Sequence, residues 1–305
     1  MLVLYGGSGF IGRHICEASN RQNIELGVIS RSSKTISSRK LSNIKTAKIG
    51  TPASRVLLKK ASTIVYLANS SKPSSVYEAM NDIVSEDLKV ITNFMEELQS
   101  INSVCSFIYL SSGGQVYGPN HRNLISEKNI VNPVTSYALC KCLKENILHY
   151  FSAMHDRNIT ILRLANPVGY WQFGTSHGLV TAAITSALKG EVLKIYGNGK
   201  NERDYFDVDE FSDFICKLHR AKKIPSGTYN IGSEISSTEL DIISAIEDTL
   251  KLSLKVNFVS PRNFDFPYAV LDSSKAKKEL GWKANLSIEQ IICKVTEEIR
   301  STISF

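Results

Sequence analysis

The chain has 305 residues, 43% of them hydrophobic, and a formal charge of +7 from 36 Lys and Arg against 29 Asp and Glu. That length supports a large buried core in one large domain or two coupled ones. The composition is that of an ordinary soluble protein: no window approaches the roughly 18 apolar residues of a membrane span, and the apolar run "LVLY" directly after Met1 leaves no room for a signal peptide, so a cytoplasmic location is expected.

The cysteines (Cys16, Cys105, Cys140, Cys142, Cys216 and Cys293) are scattered without CxxC spacing, which argues against a disulfide framework and against zinc. Cys140 and Cys142 flank Lys141, but on a helix residues two apart point different ways, so no metal is expected there. Basic residues are densest at "RSSKTISSRK" and "HRAKK", without the aromatic interleaving of a nucleic-acid surface. A solvated basic face, compatible with a phosphate-bearing ligand, is the reading, with no nucleic acid and no membrane as partner.

In chain order, strand-like "LVLY" leads through "GGSGFIG" into a helical "FIGRHICEASN". "ELGVIS", "TAKI" and "STIVYLA" follow as strands, then the helix "VSEDLKVITNFMEELQS", the strand "FIYLS", the helix "SYALCKCLKENILHYFSAM" and the strand "ITILRLA". Val-, Ile- and Leu-rich strands alternating with helical patterns imply an α/β fold, a Rossmann-type doubly wound parallel sheet. After Pro167 the rhythm turns loop-rich, and "STELDIISAIEDTL" and "SSKAKKELGW" surround a short strand, "LKVNFVS". The expected organisation is a nucleotide-binding domain over 1–166 plus about 204–232, and a smaller α+β substrate domain over about 167–203 plus 233–305, with a cleft between them.

Gly6, Gly9 and Gly12 sit between the first strand and the first helix. Glycines there permit a tight turn, close approach of backbone to a pyrophosphate and close packing of helix on strand. The helix N-terminus beginning Phe10 and Ile11 then offers free N–H groups to the phosphates. The second strand closes on Ser30 and Arg31, about twenty residues beyond Gly12, where an NAD site normally carries an acid for the adenine-side ribose. An arginine instead matches a 2′-phosphate through fork-shaped, charge-assisted bonding, with hydroxyls of Ser30, Ser32 and Ser33 beside it. NADP(H) is therefore favoured and NAD(H) remains open. Tyr137 and Lys141 are four residues apart at the start of a helix, on one face. A tyrosine beside a fixed ammonium is expected to have a lowered phenol pKa and to exchange a proton near neutral pH, and the same Lys141 can reach nicotinamide-ribose hydroxyls.

The string "GGSGFIG", "VYLAN", "YLSSGGQVYG", "NPVTSYALCK", "ILRLANPVG", "IYGNGKNERDYFDVDE", "YNIGS" and "RNFDFPYAVLDSSKAKKELGW" resembles the extended short-chain dehydrogenase/reductases of the nucleotide-sugar epimerase, dehydratase and reductase family, over essentially the whole chain. The resemblance implies that Tyr137 and Lys141 are the catalytic pair and that Leu67 and Ala68 flank the cofactor. It further implies that Asn166, Arg203 and Arg262 meet the substrate diphosphate, and that Asp265 takes a ribose hydroxyl. Tyr196 reads equally as a stacking partner for the base and as a core tyrosine. Three positions depart from the pattern. Gly113 stands where the family carries a Ser or Thr hydroxyl, so Ser112 or the amide of Gln115 is the expected substitute, with Ser111 a weaker candidate. "KIGT" replaces an acidic residue near adenine, and Arg31 is the third departure.

The family's reactions move a hydride between nicotinamide and a sugar carbon while the tyrosine manages the proton. A dehydratase wants an Asp-Glu pair that "SSGGQVYG" lacks. The expectation is NADPH-dependent reduction of an NDP-4-keto-6-deoxyhexose at carbon 4, with proton transfer from Tyr137. The alternatives are a UDP-hexose or N-acetylhexosamine 4-epimerase with retained cofactor, or an inactive NADP-sensing scaffold. The resemblance implies that either activity would feed surface-polysaccharide synthesis in a microbe. The family's dimers suggest a homodimer through the helices ending near Ser100 and Met154. His121, His155 and His177 read as polar loop and helix residues, with His177 in a segment bordering the expected sugar position.

Overall fold

The computed structural model describes residues 1–31, 43–69, 80–101, 105–119, 121–172, 178–262 and 264–301. The first half runs β1 (Leu2–Tyr5), α1 (Phe10–Arg21), β2 (Leu26–Ser30), β3 (Ile44–Lys48), α2 (Pro52–Lys60), β4 (Thr63–Tyr66) and α3 (Met80–Ser100). It continues with β5 (Ser106–Ser112), the one-turn α4 (Gly113–Val116), α5 (Ser136–His155) and β6 (Ile159–Leu164). Beyond these come β7 (Asn166–Val168), α6 (Leu179–Lys189), β8 (Val192–Tyr196), β9 (Glu202–Asp207), α7 (Val208–Arg220) and β10 (Gly227–Ile231). The chain closes with β11 (Ser236–Thr238), α8 (Glu239–Leu250), β12 (Lys255–Val259), β13 (Tyr268–Ala269), α9 (Ser274–Leu280) and α10 (Ile288–Arg300).

Seven strands form one parallel sheet in the order β10-β6-β5-β4-β1-β2-β3, a Rossmann-type arrangement. Alternation within each strand feeds two cores. Leu2 and Leu4 turn to one face, where Ile15 of α1 and Phe211, Phe214 and Ile215 of α7 cover them. Val3 and Tyr5 turn to the other, under Leu57 of α2, Ile91 and Phe94 of α3 and Leu148 of α5. Strands buried on both faces explain the near-continuous apolar runs of the sequence. The chain leaves β1 outward to β2 and β3, then returns to β4, so the strand order reverses between β1 and β4. That switch point opens a crevice at the strands' C-terminal ends.

A second layer is built on β9, which pairs with β7, β11 and β13, and on the β8–β12 pair. Its own core joins Ile184 of α6, Ile242 and Ile246 of α8, and Ile292 and Val295 of α10. Side-chain caps start two of its helices: Thr238 and Ser287 each form a capping box at α8 and α10. Residues 274–282, which the sequence rhythm groups with this smaller unit, pack instead on the large sheet. Trp282 lies among Phe206, Phe211 and Phe214 and donates from Nε1 to the Gly232 carbonyl at 2.8 Å. Among the described residues, no helix is long and apolar enough to cross a membrane.

Candidate active site

At the switch point the three glycines have different reasons for being glycine. Gly6 has φ +87°, and a Cβ there would sit 2.5 Å from the Ala68 amide nitrogen. A Cβ on Gly12 would lie 2.2 Å from the Gly7 carbonyl oxygen, so α1 can approach its own entry turn only without a side chain. Gly9 is the exception, because a Cβ on it would meet nothing within 4 Å. It is also the N-cap of α1 and supplies no side-chain cap. Open space at Gly9 beside uncapped N–H groups is the arrangement that a pyrophosphate fits, so these residues suit a dinucleotide. Ile11 packs against the large core, Phe10 sits edge-on to His14, and Leu67 and Ala68 prolong β4 beside the turn, half-buried. Ser30 is buried at the end of β2 and Arg31 is exposed just after it. In "KIGT", Thr51 caps α2 by accepting from the Ser54 amide. Ser32, Ser33 and His177 lie outside the described residues.

Strand β5 delivers Ser112 to the same crevice, and Thr135, accepting from the Ala138 amide at 3.1 Å, starts α5 so that Tyr137 falls in its first turn. The side chains of Tyr137 and Ser112 are hydrogen-bonded. Lys141 is buried behind them, donating from Nζ to the Leu110 carbonyl at 2.8 Å, 5.1 Å from the Tyr109 ring and 5.6 Å from the Tyr137 ring. One expectation is reversed here. The phenol of Tyr137 is pushed up to about 12 by burial, which outweighs the bond to Ser112. Burial, reinforced by the charge of Lys144, instead lowers Lys141 to about 7. Taking the ammonium out of water disfavours the charge that was to hold the phenol down.

Gly113 is buried beside Ser112 rather than in the cleft wall. A Cβ there would lie 2.4 Å from Leu271 Cδ1 and 3.1 Å from the Arg163 carbonyl oxygen. Leu271 therefore fills the direction a side chain would take, and Ser112 is the hydroxyl that reaches Tyr137.

Between the sheet and the smaller unit lies a cleft of about 460 Å³ whose walls include Ser112, Gln115, Tyr137, Asn166, Tyr196, Arg203, Arg262 and Asp265. Strand pairing places four of them. The β7–β9 register sets Asn166 beside Tyr205, and the Asn166 amide donates to the Asp204 carbonyl at 2.8 Å. Arg203 follows on β9, its guanidinium 5.6 Å from the Phe266 ring, with burial lowering its pKa. Arg262 holds Asp265 through two bonds of 2.8 and 2.9 Å and stacks 4.4 Å over Tyr196 and 5.1 Å from Phe264. Tyr196 is 39% exposed, so it belongs to the cleft and not to the core. His121 lies 3.2 Å from the Tyr117 carbonyl and His155 packs on Phe151, both away from the cleft wall.

Sequence reasoning missed a buried polar chain behind the site. Ser111 donates to Glu145 at 2.5 Å, and Arg163 bonds the same carboxylate at 2.6 Å and Tyr117 at 2.9 Å. Tyr117 in turn donates to Asn230 on β10 at 2.7 Å. The signals were an arginine inside the apolar "ITILRL" and a glutamate four residues beyond Lys141 on the same helix face.

A family model described as the NAD dependent epimerase/dehydratase family matches residues 2–232. A UDP-glucose 4-epimerase of Mycolicibacterium smegmatis is 28% identical over 211 residues, 68% of this chain and 66% of that protein. A dTDP-4-dehydro-6-deoxyglucose reductase of Escherichia coli is 25% identical over 311 residues, 98% of this chain and 97% of that protein. Among solved structures, a UDP-glucose 4-epimerase of Thermotoga maritima with UDP-glucose superposes with a TM-score of 0.87 at 23% identity, covering 99% of each chain.

Proposed function

The chain belongs to the NAD dependent epimerase/dehydratase family and is an enzyme of its nucleotide-sugar epimerase and reductase kind; from that premise we propose that it reduces an NDP-4-keto-6-deoxyhexose at carbon 4 with NADPH. The observation that carries this reading is Arg31, exposed immediately after β2 where an NAD site presents an acid. The end-to-end similarity to the E. coli reductase supports it.

The proton chemistry agrees. A phenol pushed up to about 12 is protonated at neutral pH and is a loaded donor toward a developing alkoxide at O4. Ser112, bonded to that phenol, is the second donor to the same oxygen. Arg203 and Arg262 hold the diphosphate, with Asn166 beside them. Asp265 exchanges its bond from Arg262 to a ribose hydroxyl when the nucleotide enters. The turn of Gly6, Gly9 and Gly12 would hold the cofactor's pyrophosphate, and the group held there would supply the hydride for carbon 4. Tyr137 supplies the proton, so the ketone becomes an alcohol and one NADPH is consumed per turnover.

A second reading is 4-epimerisation of a UDP-hexose. It is favoured by the M. smegmatis and T. maritima relatives, both named UDP-glucose 4-epimerases. Cofactor titration of the purified protein tests the carrying observation. Arg31→Ala is expected to weaken NADPH binding about tenfold or more and to leave NADH binding unchanged, the loss of one charge-assisted phosphate contact. Equal affinity of the parent protein for both cofactors, unchanged by the substitution, would remove the basis for NADPH.

A further inference from the structure

One turn beyond Lys141 on α5 lies a second lysine that is also buried. The Nζ of Lys144 is 3.0 Å from Oδ1 of Asp87 on α3, with both side chains 1% exposed. The same ammonium donates to Oδ1 of Asn69 at 2.7 Å. Asn69 ends the stretch Leu67–Asn69 that follows β4, and its neighbour Ala68 is the backbone against which Gly6 must stay a glycine. A single charged group thus ties together the helix carrying Tyr137 and Lys141, the helix α3, and the segment lying against the glycine turn.

Stability does not account for this arrangement. Burying two charges costs several kcal/mol per ion before their attraction is counted, and apolar residues of similar volume commonly do as well or better. The same helix buries Ala138, Cys140 and Leu148 with no such cost, while its other buried charges, Lys141 and Glu145, face the site and Arg163. We propose that Lys144 is a positioning residue: anchored by Asp87 and Asn69, it fixes α5 against the cofactor-side segment and stands as a buried like charge one turn from Lys141. The inference rests on the reading of the glycine turn as a dinucleotide site.

The groups facing Lys141 come from three elements. Strand β5 presents the Leu110 carbonyl and the Tyr109 ring, and α3 presents Asp87. Its own helix presents Tyr137, Cys140, Lys144 and Glu145. After burial itself, the Lys144 ammonium is the strongest influence pushing Lys141 down, while Asp87, Glu145 and Cys140 push it up. Removing Lys144 alone therefore takes away the repulsion and leaves the carboxylate of Asp87 in place. Removing both partners takes away opposing influences and has a smaller effect in the same direction.

The test is NADPH binding to the purified full chain, followed by nicotinamide fluorescence from pH 6.5 to 9.5, with Tm recorded at each pH. In the parent protein, affinity is expected to fall as Lys141 loses its proton and with it a charged donor to the nicotinamide ribose. Lys144→Met is expected to move the midpoint of that fall upward by about one pH unit, the scale of removing a nearby like charge. Lys144→Met/Asp87→Asn, which leaves no unpaired buried charge and so preserves the fold if the single variant does not, is expected to move it upward by less. Lys144→Arg keeps the charge and is expected to leave the midpoint in place. A midpoint that stays put in both methionine variants, with affinity or Tm merely lowered at every pH, would make Lys144 structural and overturn the proposal. Absence of NADPH binding by the parent protein would contradict the dinucleotide reading, and this inference with it.

Discussion

Gly9 separates a glycine kept for the fold from one kept for a ligand. Gly6 and Gly12 are fixed by clashes inside the protein, whereas Gly9 has an extended backbone that any residue adopts and empty space where its side chain would go. Gly9→Val is therefore expected to melt within a few degrees of the parent protein and to lose dinucleotide binding about a hundredfold or more. Calorimetry and cofactor titration on the same sample check both halves, and a variant that still binds would move the pyrophosphate elsewhere. The glycine spacing and the Tyr137–Lys141 pair were legible in the sequence because residue type and local spacing carry their meaning. The replacement for the hydroxyl at Gly113 was not, because it depends on Leu271, far away in the chain, taking the space. Lys144 was hidden for a related reason: its spacing on α5 is visible, but Asp87 and Asn69 become its partners only through tertiary packing.

At the level of elements, α1, α7 and α10 are joined by a partly buried ionic cluster. His14 Nδ1 lies 2.6 Å from Asp209, and Lys294 reaches Asp209 at 2.5 Å and Asp207 at 2.7 Å. Burial alone would raise the Asp209 carboxyl, but His14 and Lys294 outweigh it and hold it far below the usual carboxylate range. A carboxyl depressed in the folded state takes up its proton more readily when unfolded, so its contribution is complete above about pH 4 and disappears as pH falls below that. Asp209→Asn is expected to cost about 3 kcal/mol at pH 7 and to flatten the acid-side loss of stability. Melts at pH 7, 4 and 3 check this, and parallel curves for the two proteins would count against it. Helices and strands were readable from periodicity since two-sided burial leaves continuous apolar strands. The ionic cluster was not, since its members come from helices widely separated in sequence.

The whole molecule places its chemistry where two layers meet. The sheet's switch point supplies the glycine turn, and β5 and α5 supply Ser112, Tyr137 and Lys141. The smaller layer brings Arg203 and Arg262 to the facing wall, where with Lys194 they outnumber Glu239 and Asp265, a balance that suits the anionic substrate proposed above. The sequence rhythm indicated the two layers, but residues 274–282 cross back to pack on the large sheet. Trp282 buries its ring there because the aromatic cluster of Phe206, Phe211 and Phe214 offers more apolar contact than the smaller unit's aliphatic core. This doubled attachment is expected to make the two layers unfold together, so that Trp282→Ala lowers a single cooperative transition without splitting it. Two resolved transitions in a calorimetric scan would contradict that.

Net consumption of reductant separates the proposed reductase from an epimerase. The most direct measurement mixes the purified protein with NADPH, and separately with NADH, first with dTDP-4-keto-6-deoxyglucose and then with UDP-N-acetylglucosamine, following nicotinamide absorbance and separating the sugar nucleotides. Loss of one NADPH per keto sugar reduced, with little loss of NADH, is the predicted result. Conversion of the UDP-sugar to its 4-epimer with no net change in cofactor would contradict it, and would leave Arg31 selecting a cofactor that the enzyme keeps.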